Sequence, residues 1–209
     1  MKIGVIGAGQ VGATLGRRMA EAGHTVSFGV RDPGDPKHAA LVEAGASVHG
    51  VREAVDQSDL ILLATPWAAA EDAVRAAGDF AGKVLVDATN PIGPGLTLLL
   101  GQTDSGAEQV ARWATGARVV KAFNTTGFEV MADPTFGDAR AVMLVAGDDE
   151  GACEVVCGLA RELGFEALRL GGLARARVLE PMALAWIELA LVRGQGRGMA
   201  FGLLRRSPG

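Results

Sequence analysis

Residues 2–12 read KIGVIGAGQVG, and this stretch decides the fold. Its first five residues are a short apolar run, which is typical of a buried strand. The run passes without a break into a Gly-x-Gly-x-x-Gly pattern, after which Leu15, Met19 and Ala22 recur at helical spacing. A strand, a glycine-rich bend and a helix in this order form the first part of a dinucleotide-binding βαβ unit.

Each glycine of the pattern has its own physical role. The first allows a tight turn, the second leaves room for a pyrophosphate against bare backbone, and the third lets the helix pack closely on the strand. Free N–H groups and the helix dipole then face the phosphates. A glycine-rich turn without a ligand would not explain the spacing. The predicted pyrophosphate-binding residues are Gly7, Ala8, Gly9, Gln10, Val11 and Gly12.

Short apolar strands alternate with helices along the rest of the chain, for example at residues 25–28, 60–63 and 84–86. This alternation predicts an α/β fold, in which a Rossmann-like parallel sheet carries helices on both faces. A small mixed C-terminal region with an apolar helix over residues 173–192 follows. We place the nucleotide-binding domain at residues 1–140. We expect residues 141–209 to complete the sheet and the pocket of a second ligand.

Composition narrows the class of protein. The chain has 209 residues, 49% of them hydrophobic and 21% charged, which is ordinary for one globular domain or two small ones. A formal charge of −4 implies no broad phosphate-binding face, so we expect no nucleic-acid partner. The chain contains no tyrosine, which excludes a dehydrogenase that protonates its substrate through a Tyr–Lys pair.

The cysteines and the termini suggest where the protein works. Cys153 and Cys157 lie four residues apart in one predicted helix, which forms neither a disulfide framework nor a metal-ligand set. We therefore expect no metal site. A strand begins at once at the N-terminus, and the C-terminal apolar stretch is interrupted by Glu188 and Arg193. These features favour a cytoplasmic protein without a membrane segment.

The end of the second strand selects the dinucleotide. Asp32 lies about 20 residues after Gly12, the distance at which an acidic side chain binds the ribose of NAD. If the strand instead ends at Val30, then Val30 holds the selective position and Arg31 pairs with the extra phosphate of NADP. We favour NADP. Lys37 either adds a second charge or is a solvated lysine at the start of a helix.

Three further strand ends face the same crevice, because ligands of such sheets lie beyond the carboxyl ends of the strands. Two of them combine small residues with hydrogen-bonding groups that suit a ribose or a carboxamide, although plain loops would look similar. Their candidate residues are Ala64, Thr65 and Pro66, and Ala88, Thr89 and Asn90.

The third strand end, residues 121–128, places uncharged polar residues beside Phe123. Asn124, Thr125 and Thr126 would form a wall for a second planar ring laid against the nicotinamide. Hydride transfer between two ring cofactors needs contact and exclusion of water, so we predict no catalytic acid or base. Lys121 is the one ionisable candidate, and a strand-end lysine that reaches solvent is the alternative interpretation.

Five segments together resemble the NADPH-dependent F-420 reductase family: residues 3–12, 28–33 (FGVRDP), 87–91 (DATNP), 119–127 (VVKAFNTTG) and 146–149 (AGDD). The cytosolic domain of the STEAP metalloreductases, which works with NADPH and a flavin, is a relative. The resemblance implies a Rossmann-like domain and hydride passage between NADP and the deazaflavin coenzyme F-420. It implies that Arg31 binds the NADP phosphate. Val30 replaces the small hydroxyl residue often found there, and Asn124 stands where archaeal members place a histidine.

Two functions of different class are consistent with these features. The first is an NADP-dependent oxidoreductase that transfers a hydride between NADP(H) and coenzyme F-420, FMN or FAD. The alternative is a non-catalytic NADPH-binding sensor or interaction protein. A hydroxyacid or imine dehydrogenase is disfavoured, because it would need a larger helical C-terminal domain and a proton donor. The partners expected are small-molecule redox cofactors and a second copy, since the apolar C-terminal helix either closes the core or meets another subunit.

Overall fold

The computed structural model describes residues 1–206, so the last three residues of the predicted C-terminal region lie outside the described part. Twelve strands occur among the described residues, eight of them in one central sheet. The strands are β1 (Lys2–Ile6), β2 (Thr25–Val30), β3 (Ser47–Gly50), β4 (Leu60–Leu63), β5 (Val84–Asp87), β6 (Ile92–Gly93), β7 (Thr97–Leu98), β8 (Arg118–Lys121), β9 (Thr135–Phe136), β10 (Ala139–Arg140), β11 (Val142–Gly147) and β12 (Glu166–Gly171).

The central sheet has the strand order β12-β11-β8-β5-β4-β1-β2-β3 and is mostly parallel, which confirms the predicted Rossmann-like fold. Val5 of β1 aligns with Phe28 of β2 on one side and with Leu62 of β4 on the other. The chain order reverses on either side of β1, since β2 and β4 flank it. Ligands of this fold bind in the crevice beyond the strand ends at such a reversal.

Eight α-helices connect these strands in the described residues, and they cover both faces of the sheet. They are α1 (Gln10–Glu21), α2 (Ala39–Glu43), α3 (Val51–Asp56), α4 (Ala70–Ala77), α5 (Gly106–Trp113), α6 (Phe128–Ala132), α7 (Glu150–Glu162) and α8 (Ala176–Ile187). Helices α4 and α6 and the short hairpins β6–β7 and β9–β10 were not predicted from the sequence. In the described part of the chain, no helix combines the length and apolar character needed to cross a membrane.

Two apolar clusters form the core, one on each side of the sheet. Val5 and Leu62 belong to the cluster that includes α1 and α7, whereas Ile6 and Leu63 belong to the cluster that includes α4 and α5. Successive strand residues point to opposite faces, and both faces are buried. This explains why the strands are continuous apolar runs rather than alternating ones.

The C-terminal part extends the same sheet through β11 and β12. These two strands are parallel to each other, but β11 pairs with β8 in the antiparallel direction, with Ala146 opposite Lys121. The one antiparallel pairing of the central sheet therefore lies where the C-terminal region begins, which agrees with the mixed character predicted for that region. The chain leaves the carboxyl end of β8 and starts β11 near that same end, so it needs no helical crossover to the far edge.

The apolar C-terminal segment closes part of the core. It consists of a 3₁₀ turn (Leu173–Arg175), α8 and a π-helical turn (Glu188–Val192), and α8 continues through Pro181. One face of α8 buries Leu179 and Trp186. On the opposite face Val178 is exposed. In the π-helical turn, the exposed apolar residues are Leu189, Leu191 and Val192.

Candidate cofactor crevice

The glycine loop has the geometry that its sequence predicts. Gly7 adopts φ +104°, a conformation that favours glycine. A Cβ atom on Gly12 would lie 2.0 Å from the carbonyl oxygen of Gly7, so only glycine fits where α1 packs on this bend. A Cβ atom on Gly9, by contrast, would meet nothing within 4 Å. The space beside Gly9 is therefore open on the crevice side.

Helix α1 begins at this loop with free donors. Gly9 is its N-cap residue, and no side chain caps the helix there. The N–H groups of the first turn therefore face outward without a side-chain partner, and the helix dipole adds a partial positive charge. Ala8 lines the cavity beside the loop. Gln10 is exposed, and Val11 packs against the core.

Strand β2 ends at Val30, as the NADP interpretation requires. Val30 is buried, whereas Arg31 is exposed and forms no ion pair with another described residue. The carboxylate of Asp32 accepts a hydrogen bond of 3.1 Å from the backbone N–H of Gly34. Asp32 thus stabilises its own turn, and Arg31 provides the free charge at the end of the strand.

Lys37 lies in a 3₁₀ turn (Pro36–His38) and lines the same cavity as Arg31. Its Nζ lies 2.5 Å from Oδ2 of Asp35, and its side chain is 67% exposed. Asp35 also accepts a hydrogen bond from the backbone N–H of Lys37. These hydrogen bonds lower the pKa of Asp35 below its usual value, the side-chain bond from Lys37 most of all. The ammonium group of Lys37 is therefore already paired with the carboxylate of Asp35.

A cavity of about 1300 Å³ joins the glycine loop to these charges. Arg31, Lys37 and Arg52 line it, and acidic residues such as Glu53 and Asp72 share its walls. The sequence analysis missed Arg52. This residue follows β3, and the pairing of Val30 with Gly50 puts the end of β3 beside the end of β2. The strand order β3-β2-β1 of such sheets was the signal that could have found it.

The end of β4 forms the next part of the crevice. The backbone N–H of Ala64 donates to the carbonyl oxygen of Ile6, which ties this strand end to the glycine loop. Thr65 and Pro66 line the cavity. The hydroxyl of Thr65 is buried and has no hydrogen-bond partner among the described residues. Its capacity for a hydrogen bond is therefore unused within the described part of the chain.

The ends of β5 and β8 meet each other. Asn90 and Asn124 form two reciprocal hydrogen bonds of 3.0 Å: Nδ2 of Asn90 donates to the backbone carbonyl of Asn124, and Nδ2 of Asn124 donates to Oδ1 of Asn90. Thr89 and Thr125 are buried, and Ala88 bonds to the backbone of β4. The structure thus brings together the strand ends that the sequence analysis had selected.

Two features of the β8 end are unusual. Phe123 is fully buried and adopts φ +64°, a left-handed conformation that is uncommon for residues other than glycine. Oδ1 of Asn124 and the hydroxyl of Thr126 are buried without a partner among the described residues. Strained backbone and unpaired polar atoms cluster at functional sites.

Lys121 does not reach solvent, so that interpretation is wrong. Its side chain is completely buried, and Nζ lies 2.8 Å from Oδ2 of Asp87 and 2.9 Å from Oε1 of Glu180. Burial by itself would lower the pKa of Lys121, but the two carboxylates outweigh burial and raise the pKa above its ordinary value. The lysine is therefore charged. No local pattern in the sequence marked Asp87 or Glu180 as its partners.

The strand ends at this edge of the sheet thus fall into two chemically different groups, of which those of β5 and β8 lie outside the lining of the cavity. The β2 and β3 end carries exposed cations, which suit a phosphate. The ends of β4, β5 and β8 offer uncharged polar groups, while the ionisable groups Lys121 and Asp87 are buried and paired with each other. Among residues 1–206, no three His, Cys, Asp or Glu side chains are placed to hold a metal ion.

The fold and this crevice define the class of the protein as a Rossmann-like protein of the dinucleotide-binding type. The family model described as "NADP oxidoreductase coenzyme F420-dependent" matches residues 2–91. A solved structure from Arthrobacter sp. FB24, described provisionally as an F420-dependent NADP reductase, is 33% identical to this chain. The alignment covers 98% of this chain and 100% of that one, with a TM-score of 0.90.

The chain therefore belongs to the coenzyme F420-dependent NADP oxidoreductase family, which is a family of oxidoreductases, and the resemblance seen in the sequence is confirmed. Metalloreductase STEAP3 of Rattus norvegicus is 33% identical over 184 residues. That match covers 88% of this chain, which spans 36% of the length of the rat protein. A hypothetical protein from Sinorhizobium meliloti, SMa0349, is 28% identical over 99% of this chain and 96% of its own, with a TM-score of 0.79.

Proposed function

We propose that this protein binds NADP(H) in the crevice and transfers a hydride between the nicotinamide and a deazaflavin, coenzyme F-420, or a flavin such as FMN or FAD. One observation carries the proposal: the open space at Gly9 lies directly before the uncapped start of α1. Bare backbone and free N–H groups together suit a pyrophosphate. Family membership and the name of the Arthrobacter relative support the choice of NADP.

The two ends of the crevice give the dinucleotide a direction. The adenosine lies at the ends of β2 and β3, where Arg31 pairs with its 2′-phosphate and Lys37 adds charge. The nicotinamide lies at the opposite end, against Thr65, Asn90 and Thr126. The candidate residues at that end offer hydroxyl and amide groups rather than charges, so they can orient the carboxamide without competing for the 2′-phosphate.

The chain's own residues bind, orient and exclude water in this mechanism, and hydride transfer is the chemistry that the two ring cofactors supply when bound. The loops after β5 and β8 hold the ring of the nicotinamide on one side. Thr125 and Thr126, next to buried Phe123, form the proposed wall for the acceptor ring. No side chain is assigned as a catalytic acid or base. The division at residues 140 and 141 remains a proposal, in which the C-terminal region supplies α8 to the acceptor end.

Rapid mixing of NADPH with F-420, FMN and FAD tests the proposal. We expect NADPH absorbance to fall with at least one acceptor in the presence of the protein. The Gly9→Val variant is the matched control, because its side chain would occupy the phosphate position. Absence of turnover with all three acceptors would contradict the oxidoreductase proposal. Absence of calorimetric NADPH binding would contradict the binding site itself.

The exposed apolar residues at the C-terminal helix favour a second copy of the chain as the occupant of that surface. Val178, Leu189, Leu191 and Val192 are each at least 40% exposed. We propose a homodimer through this segment, and light scattering on the purified protein tests it. If NADPH binds without any hydride transfer, the same surface supports the alternative, an NADPH sensor that binds another protein. Two free, buried cysteines suit a reducing compartment, and we propose the cytoplasm.

A further inference from the structure

One turn of α8 contacts the loop after β8 directly and the loop after β5 through Lys121, and both loops lie at the proposed nicotinamide end of the crevice. The carbonyl oxygen of Leu179 accepts a hydrogen bond of 3.0 Å from Nδ2 of Asn124, in the loop after β8. The next residue, Glu180, pairs with Nζ of Lys121, which donates to the carbonyl oxygen of Thr89 at 2.5 Å in the loop after β5. The two loops that carry the candidate nicotinamide contacts therefore depend on the same helical turn.

The charges in this contact are buried to an extent that needs an explanation. Side chains of Lys121 and Asp87 are 0% exposed, and that of Glu180 is 1% exposed. Removing charges from water is costly, and replacing a buried ion pair with packed apolar residues is often neutral or stabilising. Stability alone is therefore a poor reason for three charges at this place. Their position directly beneath two ligand-facing loops offers a functional one.

The hydrogen bonds of the lysine are complete. An ammonium group has three N–H donors. In Lys121 these donors point to Asp87, Thr89 and Glu180. Asp87 in turn accepts hydrogen bonds from both the backbone N–H and the hydroxyl of Thr89. Three hydrogen bonds therefore fix Thr89, two to Asp87 and one from Lys121.

We propose that Glu180 is a positioning residue for the nicotinamide end of the crevice, acting through Lys121 on the loop that contains Thr89 and Asn90. This inference rests on the proposed function, because it assumes that the nicotinamide binds at these loops. Glu180 contacts no ligand itself. By pairing with Lys121 it keeps the ammonium group on Thr89, and the loop then presents its remaining polar groups to the ring in one arrangement.

Glu180 has a second contact that must be separated from the first. Its carboxylate accepts hydrogen bonds from the backbone N–H groups of Gly106 at 2.8 Å and Ala107 at 3.1 Å, at the start of α5. A glutamine at position 180 would turn an NH₂ group toward one of these donors or toward Lys121. Glu180→Gln therefore breaks at least one of the contacts that the carboxylate makes. Ser105→Ala is the matched control, because Ser105 caps the same helix at Glu108 without touching Lys121.

The test compares two ligands that differ only in the part the loops would hold. Calorimetry measures the Kd of NADPH and of 2′-phospho-ADP-ribose, which lacks the nicotinamide ring. In Glu180→Gln we expect the Kd of the ring-free ligand to stay within about twofold and that of NADPH to rise by roughly tenfold. A tenfold rise corresponds to about 1.4 kcal/mol, the order of one hydrogen bond lost at the ring. Ser105→Ala should leave the ratio of the two Kd values unchanged.

Each other outcome overturns the inference. If Glu180→Gln leaves the ratio of the NADPH Kd to the 2′-phospho-ADP-ribose Kd unchanged, Glu180 does not position the nicotinamide end, although the proposed function stands. If the wild-type protein binds both ligands with equal Kd, the loops do not hold the ring, and the inference fails in the same way. An equal change in Ser105→Ala assigns the effect to α5. A wild-type protein that binds neither ligand ends the proposed function and the inference with it. If Glu180→Gln does not fold, Glu180→Asp keeps the charge and shortens its reach, and the same rise in the ratio is then required.

Discussion

Replacing Arg31 with alanine tests the orientation of the dinucleotide in the crevice. Arg31 follows the last residue of β2, lines the cavity and is exposed, and it has no ion-pair partner among the described residues. Its removal leaves no buried charge without a partner, so we expect no measurable change in the melting temperature. The whole effect should fall on the ligand that carries a phosphate beside Arg31.

The size of the effect follows from the contact that is lost. A hydrogen bond to a charged group contributes about 1.5–3 kcal/mol, and a neutral one contributes about 1 kcal/mol. Arg31 is exposed, so solvent and salt screening place the loss at roughly 1–3 kcal/mol. Since each ~1.4 kcal/mol is tenfold in affinity, NADPH binding should weaken by about 5- to 150-fold. NADH lacks the 2′-phosphate, and its affinity should change far less.

Isothermal titration of NADPH and NADH at low and high salt measures both effects. Arg193→Ala is a suitable control, because it removes an exposed arginine that does not line the cavity and should alter neither affinity. The NADPH loss should shrink at high salt, where the charges are screened. An equal loss for NADPH and NADH in Arg31→Ala would refute the assignment of the phosphate to this residue.

Three further predictions concern the glycine loop and the contact between α5 and α8. Gly9→Val should abolish calorimetric binding of both NADPH and NADH. Its melting temperature should stay unchanged, because a Cβ at this position meets no protein atom within 4 Å. Retained binding would contradict the pyrophosphate position. Gly12→Ala should instead lower stability by about 2 kcal/mol or more in urea unfolding, because its Cβ would lie 2.0 Å from the carbonyl oxygen of Gly7. The hydrogen bonds from Arg177 lower the pKa of Glu108, so the contribution of this carboxylate is present above about pH 4.3 and is lost as the pH falls through the lowered value. Unfolding of Glu108→Gln against wild type should therefore show a difference at pH 7 that shrinks as the pH falls below about 4.3, and a constant difference would contradict the pairing.

Much of the fold and part of the site could be predicted from local pattern. The glycine loop, the end of β2 at Val30 and the polar strand ends each depend on residues that are neighbours in the chain. Backbone preferences and apolar periodicity act over such distances, so they are visible in a sequence. The two missed helices differ in this respect. Helix α6 has only five residues, too few for a periodic signal. Helix α4 buries Ala70, Val74 and Ala77 on one face, so its pattern was present in the sequence and could have been used.

The crevice residues that were not predicted from the sequence were missed for a different reason. Arg52 lines the same cavity as Arg31 because β3 pairs with β2, which is a property of the sheet. Lys121 looked like a strand-end lysine near solvent, since its partners lie in other segments. The antiparallel entry of β11 next to β8 also has no local signal, because strand direction depends on how the connecting segment returns to the sheet.

By itself the sequence determined a Rossmann-like sheet, the glycine bend after β1 and the polar strand ends at one edge of that sheet. Only the tertiary structure decided that Lys121 is buried and charged, and that α8 holds both loops at one end of the site. The hydrogen bonds involved join residues far apart, 55 positions between Asn124 and Leu179 and 32 between Lys121 and Thr89. Whether a charge is buried depends on what packs around it, and chain neighbours do not specify that.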